Sequence, residues 1–135
     1  MALQRIPEWL YQSPGKVASE ISATGVELGL DDGWQGISPF VTASVLWSVY
    51  SFLRSPDDYI ESICTSIAVG GDVDTTAAMT GAISGALVGL GRLPRELAPQ
   101  VNDAGTWDHD ELVRLAHRYH SLATGVGRTQ NGFLP

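Results

Sequence analysis

Residues 70–90 read GGDVDTTAAMTGAISGALVGL, and the reading of this stretch decides the fold. From about Thr75 to Leu90 it carries no charge and no proline, so nothing in it breaks a helix. Ala77, Gly81, Gly85 and Gly89 lie four apart, with Ala78, Ala82 and Ala86 beside them. Glycine inside a helix costs about 1 kcal/mol relative to alanine. Repeating it on one face makes sense where another helix approaches closely. The stripe therefore predicts helix packing and is assigned no chemistry. Gly91 and Pro94 end the helix.

Working outward, the flanks are helical as well. Phe40 to Leu53, FVTASVLWSVYSFL, is too long for a strand and does not alternate cleanly, which predicts a buried helix. Ser55-Pro56-Asp57-Asp58 is a helix start, with Ser55 as cap, Pro56 in the first turn and two carboxylates suiting the helix dipole. Ile60, Ile63, Ile67 and Ala68 then give the apolar face, and Gly70-Gly71 stops the helix. Upstream, Ser13-Pro14 opens a helix running towards Leu28, with Val17, Ile21 and Leu28 on one side. Leu30 to Pro39 is loop-like. Downstream, a last helix runs from about Asp108 to Leu122 with Leu112, Leu115, Ala116 and Tyr119 as its face, and residues 123–135 read as a flexible tail. The fold class is all-α, in a single domain of 135 residues.

Composition narrows the function. With 15 acidic against 8 basic residues the net charge is −7, and such a surface repels a nucleic-acid backbone. A cluster of acids would instead attract a divalent cation. Cys64 is the only cysteine, so neither an intramolecular disulfide nor a thiolate zinc site is available, which suits a reducing cytoplasm. The N-terminal MALQRIPEWLYQSPGK has no signal-peptide pattern, and no run is long and apolar enough to predict a membrane span.

One constellation carries chemistry. Asp72 and Asp74 flank Val73 on a loop entering the small-residue helix, and Gly70-Gly71 lets the backbone turn or approach a ligand. Thr75 and Thr76 add hydroxyls. Two carboxylates and a hydroxyl are hard oxygen ligands suited to Mg²⁺, Mn²⁺ or Ca²⁺. The plain structural explanation is a helix cap by Asp72 or Asp74. One cap needs one aspartate, however, and a second nearby carboxylate costs like-charge repulsion unless a cation offsets it.

The wider pattern resembles the ADP-ribosylglycohydrolase family, the group that includes dinitrogenase reductase-activating glycohydrolase. The family signature GGDxDT, a small-residue helix, a Gly-Leu turn and a proline matches GGDVDTTAAMTGAISGALVGLGRLP from Gly70 to Pro94. A phrase like YxFLRxPDDF precedes it in the family, and Tyr50 to Tyr59 reads YSFLRSPDDY here. Leu115-Ala116-His117-Arg118 matches a short closing helix, so the family-like core covers residues 36–122.

The resemblance implies an all-α fold, a two-metal site usually filled by Mg²⁺, and a substrate that is an ADP-ribosylated protein or a small molecule containing ADP-ribose. It implies that Asp72, Asp74 and Thr75 are metal ligands. Asp74 would also be the catalytic residue that orients water, and Gly70 and Gly71 would face the substrate. The family's first half supplies a Thr-Asp-Asp-Thr motif and a glutamate that this chain lacks, so the match is to the C-terminal half. Asp31-Asp32 and Asp57-Asp58 are not flanked by threonines and read as a turn and a helix start.

Other readings remain open at this level. A non-catalytic ADP-ribose-binding or helical interaction fragment is one, with Trp34, Phe40 and Trp47 facing a partner rather than the core and the chain self-associating or meeting its missing half. A haloacid-dehalogenase-like phosphatase is another, since Asp72-Val73-Asp74-Thr75-Thr76 fits DxDx[TV]. That chemistry needs a strand just before the motif. His117 and His120 are a turn apart but lack a third ligand, and with His109 they read as surface residues.

Overall fold

Helices carry the fold in the computed structural model, which describes residues 2–24 and 35–125. Among these residues no strand forms, only two isolated bridges, so the all-α expectation holds and the phosphatase motif lacks its strand. The chain divides into two compact units, Met1–Leu93 and Pro94–Pro135.

The first unit starts with a 3₁₀ turn, Ala2–Arg5, and one turn of helix, α1 (Ile6–Trp9). Pro7 fits the first turn of α1, and Ile6 and Trp9, three apart, are both buried. Next comes α2 (Pro14–Ser22), with Ser13 at the N-cap in extended conformation but without a side-chain cap bond. Val17, Ala18 and Ile21 are its buried face, while Leu28, Trp34 and Asp31-Asp32 lie outside the described residues.

Helix α3 (Val41–Arg54) has two buried sides of different character. Ala43, Leu46, Trp47 and Tyr50 join Ile6, Trp9, Val17, Ala18, Ile21 and Ile37 in an apolar core. Trp47 and Tyr50 stack at 5.1 Å between ring centroids, and the Trp47 indole N–H donates to the Ser66 carbonyl at 2.8 Å. Trp47 is therefore core, whereas Phe40, at the N-cap, is exposed.

The other side of α3 is a seam of hydroxyls. Ser44, Ser48 and Ser51 of α3 meet α4 (Tyr59–Ile67) and α5 (Val73–Val88). The buried residues of α4 are Ser62, Thr65 and Ser66, and those of α5 are Thr76, Thr80 and Ser84. Burying a hydroxyl is unfavourable unless it is hydrogen-bonded, and most of these are. Ser48 Oγ donates to Ser44 O at 2.8 Å and Thr76 O at 3.3 Å, and Thr80 Oγ1 donates to Ser48 O at 3.4 Å. Ser62 Oγ donates to Ser55 O at 2.7 Å.

Two sequence expectations are corrected here. The buried face of α4 is not the isoleucine face: Ile60 and Ile67 are 43% and 44% exposed. Nor does Ser55 cap α4. Asp58 does, accepting from the Glu61 N–H at 2.9 Å. The glycine stripe of α5 does face α4, but through the Tyr59 ring. A Cβ on Gly81 would lie 3.2 Å from the Tyr59 hydroxyl.

In the second unit a 3₁₀ turn (Ala98–Gln100) leads to α6 (His109–Thr124). Asp108 caps α6 through the Glu111 N–H at 2.8 Å, with Asp110 and Glu111 in the acidic first turn. Leu112, Leu115 and Tyr119 are exposed, as are His117 and His120. His109 contacts the neighbouring Asp110 at 3.2 Å. No described helix is long and apolar enough to cross a membrane.

Candidate functional site

The site forms where α4 ends and α5 begins. The last turn of α4 closes with the Gly70 N–H donating to Ile67 O at 3.2 Å, and the chain then reverses through Gly70 and Gly71. Asp72 occupies the N-cap of α5, and its carbonyl accepts the Thr76 N–H at 3.1 Å and the Thr76 hydroxyl at 3.0 Å. Its carboxyl makes no cap bond. This removes the plain explanation for Asp72, which was helix capping.

The carboxyl is turned towards Asp74 instead. A side-chain hydrogen bond with Asp72 is the largest influence holding the Asp74 carboxyl below its ordinary range. The backbone N–H groups of Thr75 and of Asp74 itself act in the same direction, and burial opposes them. With both groups ionised the contact would be repulsive, and a cation between them would relieve it. Asp74 and Thr75 are exposed and Asp72 is half-buried, which leaves room for water and further ligands.

Asp72, Asp74 and Thr75 thus lie at the start of one helix. The donors are all oxygen, which fits Mg²⁺ or Mn²⁺. Among the described residues no group of three or more acidic, histidine or cysteine side chains gathers around a common point. Asp57 is exposed and Asp58 caps α4, and among the described residues no third carboxylate gathers with Asp72 and Asp74.

What sequence reasoning missed lies in the segment described as a loop. The Asp72 N–H donates to Ile37 O at 2.7 Å, and the Ile37 N–H donates to Gly70 O at 3.2 Å. The two backbones form a parallel bridge, Ile37 to Gly71. A Cβ on Gly71 would lie 2.1 Å from Ile37 O, and its φ is +90°, so glycine is required. Gly70 has more space, with nothing nearer than 4.0 Å to its would-be Cβ. The buried Ile37 between Gly36 and a serine was the available signal.

Comparison with known proteins follows the same lines. The ADP-ribosylglycohydrolase family profile matches residues 1–129. ADP-ribosylhydrolase ARH3 of Homo sapiens is 35% identical over 114 residues, covering 77% of this chain and 30% of that protein. ARH3 of Danio rerio is 41% identical over 61 residues, covering 45% of this chain and 16% of that protein. ARH3 of Mus musculus is 34% identical over 93 residues, covering 62% and 24% respectively. The chain thus spans less than a third of the length of these relatives. No solved structure is a significant match.

Proposed function

Because the chain belongs to the ADP-ribosylglycohydrolase family, we propose that it provides the Asp-rich part of a hydrolase that cleaves ADP-ribosyl glycosidic bonds. The single observation that carries this is the Asp72–Asp74 pair, two carboxyls in contact at a helix start with the first free of any capping role. Asp72, Asp74 and Thr75 hold a divalent cation, Mg²⁺ by preference, in a site of two metals completed by ligands beyond those described. When bound, the metal supplies Lewis-acid polarisation and lowers the proton affinity of water. Asp74, the more exposed carboxylate, orients the attacking water at the anomeric carbon. Gly70, whose would-be Cβ has nothing nearer than 4.0 Å, admits the substrate close to the helix start, while the side-chain position of Gly71 is taken by the Ile37 backbone. The substrate is an ADP-ribosylated protein or an ADP-ribose-containing small molecule. The lone Cys64, free and exposed, fits residence in the cytoplasm.

The partial donor set favours a second reading for the chain in isolation, a module that binds ADP-ribose or a partner helix without turnover. One experiment separates the two. Mg²⁺-dependent release of ADP-ribose from a modified peptide, lost in Asp74→Asn, supports the hydrolase. Heat on titration with ADP-ribose, without release, supports the binding module. Neither response from the chain, alone or supplemented with the remaining part of a relative, sinks both.

A further inference from the structure

We propose that Gly36 and Ile37 are positioning residues, which clasp the backbone of residues 70–72 and set the direction in which the Asp72–Asp74 pair is presented, with Ser22 as the latch of that clasp. The proposal rests on the reading of the pair as cation ligands.

The clasp grips the residue that matters. The Asp72 N–H belongs to the first turn of α5, where no intrahelical acceptor exists for it. Its acceptor is Ile37 O at 2.7 Å, while the Ile37 N–H reaches Gly70 O at 3.2 Å. One residue thus holds both ends of the Gly70–Asp72 turn. The approach leaves no room for a side chain at Gly36 or Gly71. A Cβ on Gly36 would sit 2.4 Å from Gly70 C and O, with Gly36 at φ +88°.

The clasp is also anchored. The Ile37 side chain is fully buried in the apolar core with Trp9, Val17 and Ile21, so the same residue belongs to the core by its side chain and to the site by its backbone. From the last turn of α2, Ser22 Oγ donates to Gly36 O at 3.1 Å. Within α5 the Asp72 carbonyl is held by the Thr76 N–H and hydroxyl, but the Asp72 carboxyl makes no cap bond and the Asp72 N–H is held only from outside the helix, by Ile37 O. None of the three residues is a candidate ligand, so their influence passes through the Asp72 amide.

The test uses the full chain, isotope-labelled, as Gly36→Ala, Ser22→Ala and the control Gly15→Ala, whose added methyl meets nothing within 4 Å. Two signals are read: amide hydrogen exchange at Asp72, and Mn²⁺ affinity from paramagnetic broadening of residues 72–75. In Gly36→Ala, exchange at Asp72 is expected to rise and Mn²⁺ affinity to fall by about tenfold or more, the size seen when groups supporting a metal ligand are lost. Exchange at Thr80, mid-α5, stays unchanged. Ser22→Ala shifts both signals by about threefold, the scale of one hydrogen bond, and Gly15→Ala shifts neither. A folded Gly36→Ala protein with wild-type exchange at Asp72 overturns the proposal. Should Gly36→Ala fail to fold, Ser22→Ala decides, and no change in either signal overturns it. A wild-type chain whose residues 72–75 ignore Mn²⁺ removes the cation reading instead, and exchange at Asp72 still decides the clasp.

Discussion

Among the described residues α4, α5 and α6 each begin at an aspartate, yet the three aspartates do different things. Asp58 and Asp108 accept a hydrogen bond from the N–H three residues on, at 2.9 and 2.8 Å, each from a glutamate. In α5 the residue three on is Thr75, and the Asp72 carboxyl turns to Asp74. A cap satisfies one of the orphan donors of a helix start. At α5 the Thr75 N–H, the one an Asp72 cap would take, goes to the Asp74 carboxyl, while the Ile37 carbonyl takes the N–H of Asp72 itself. The Asp72 carboxyl is thereby left without a capping bond, and that is what distinguishes the α5 start from two helix starts of similar sequence.

The largest expected effect tests that distinction. Asp74→Asn should weaken divalent-cation binding by roughly 100-fold, the upper range for perturbing a metal site, as read by Mn²⁺ paramagnetic broadening, with circular dichroism unchanged. Asp58→Ala should leave cation binding alone and cost about 1 kcal/mol in chemical denaturation, the usual loss for a cap. A similar loss for Asp72→Ala without metal would erase the contrast. The expected result is a change within about 0.5 kcal/mol, as for a residue outside any cap.

The smallest effect concerns Glu20, a carboxylate that is paired with donors. It accepts the Trp9 indole N–H at 3.0 Å and lies against Arg5. The Trp9 bond first, then Arg5, holds its pKa below the ordinary value against the opposing effect of burial. A lowered folded pKa means stability that is present above the ordinary carboxylate range and lost as pH falls through the lower folded value. The melting temperature of wild type should therefore exceed that of Glu20→Gln at neutral pH, and the two should converge in acid. A gap that persists at low pH would assign the effect to packing.

Much of this was legible locally. The α3 run from Phe40 to Leu53 and the α6 span from Asp108 to Leu122 fall within two residues of the observed helices, because length and capping residues are local signals. The placement of Asp72, Asp74 and Thr75 at a helix start was legible for the same reason. The buried face of α4 was not, since periodicity favours isoleucines over Ser62, Thr65 and Ser66. Hydroxyls can be buried there because carbonyls of the same helix and of the turn before it accept their protons, whereas the choice of the face that meets α3 and α5 is made by packing. Asp58 displaced Ser55 as the cap because the turn over residues 55–57 precedes the helix. Helix α1 escaped notice because one turn offers little periodicity. The clasp was out of reach because Ile37 and Asp72 meet only after folding.

The hydroxyl seam between α3, α4 and α5 has a calorimetric consequence. Exposing apolar surface raises the heat capacity by about 0.45 cal/K/mol per Å², whereas exposing polar surface lowers it by about 0.26. Opening a seam of serines and threonines adds less to the heat-capacity change of unfolding than opening an equal area of leucine. The stability of the first unit should accordingly vary with temperature along a flatter curve than its length alone implies.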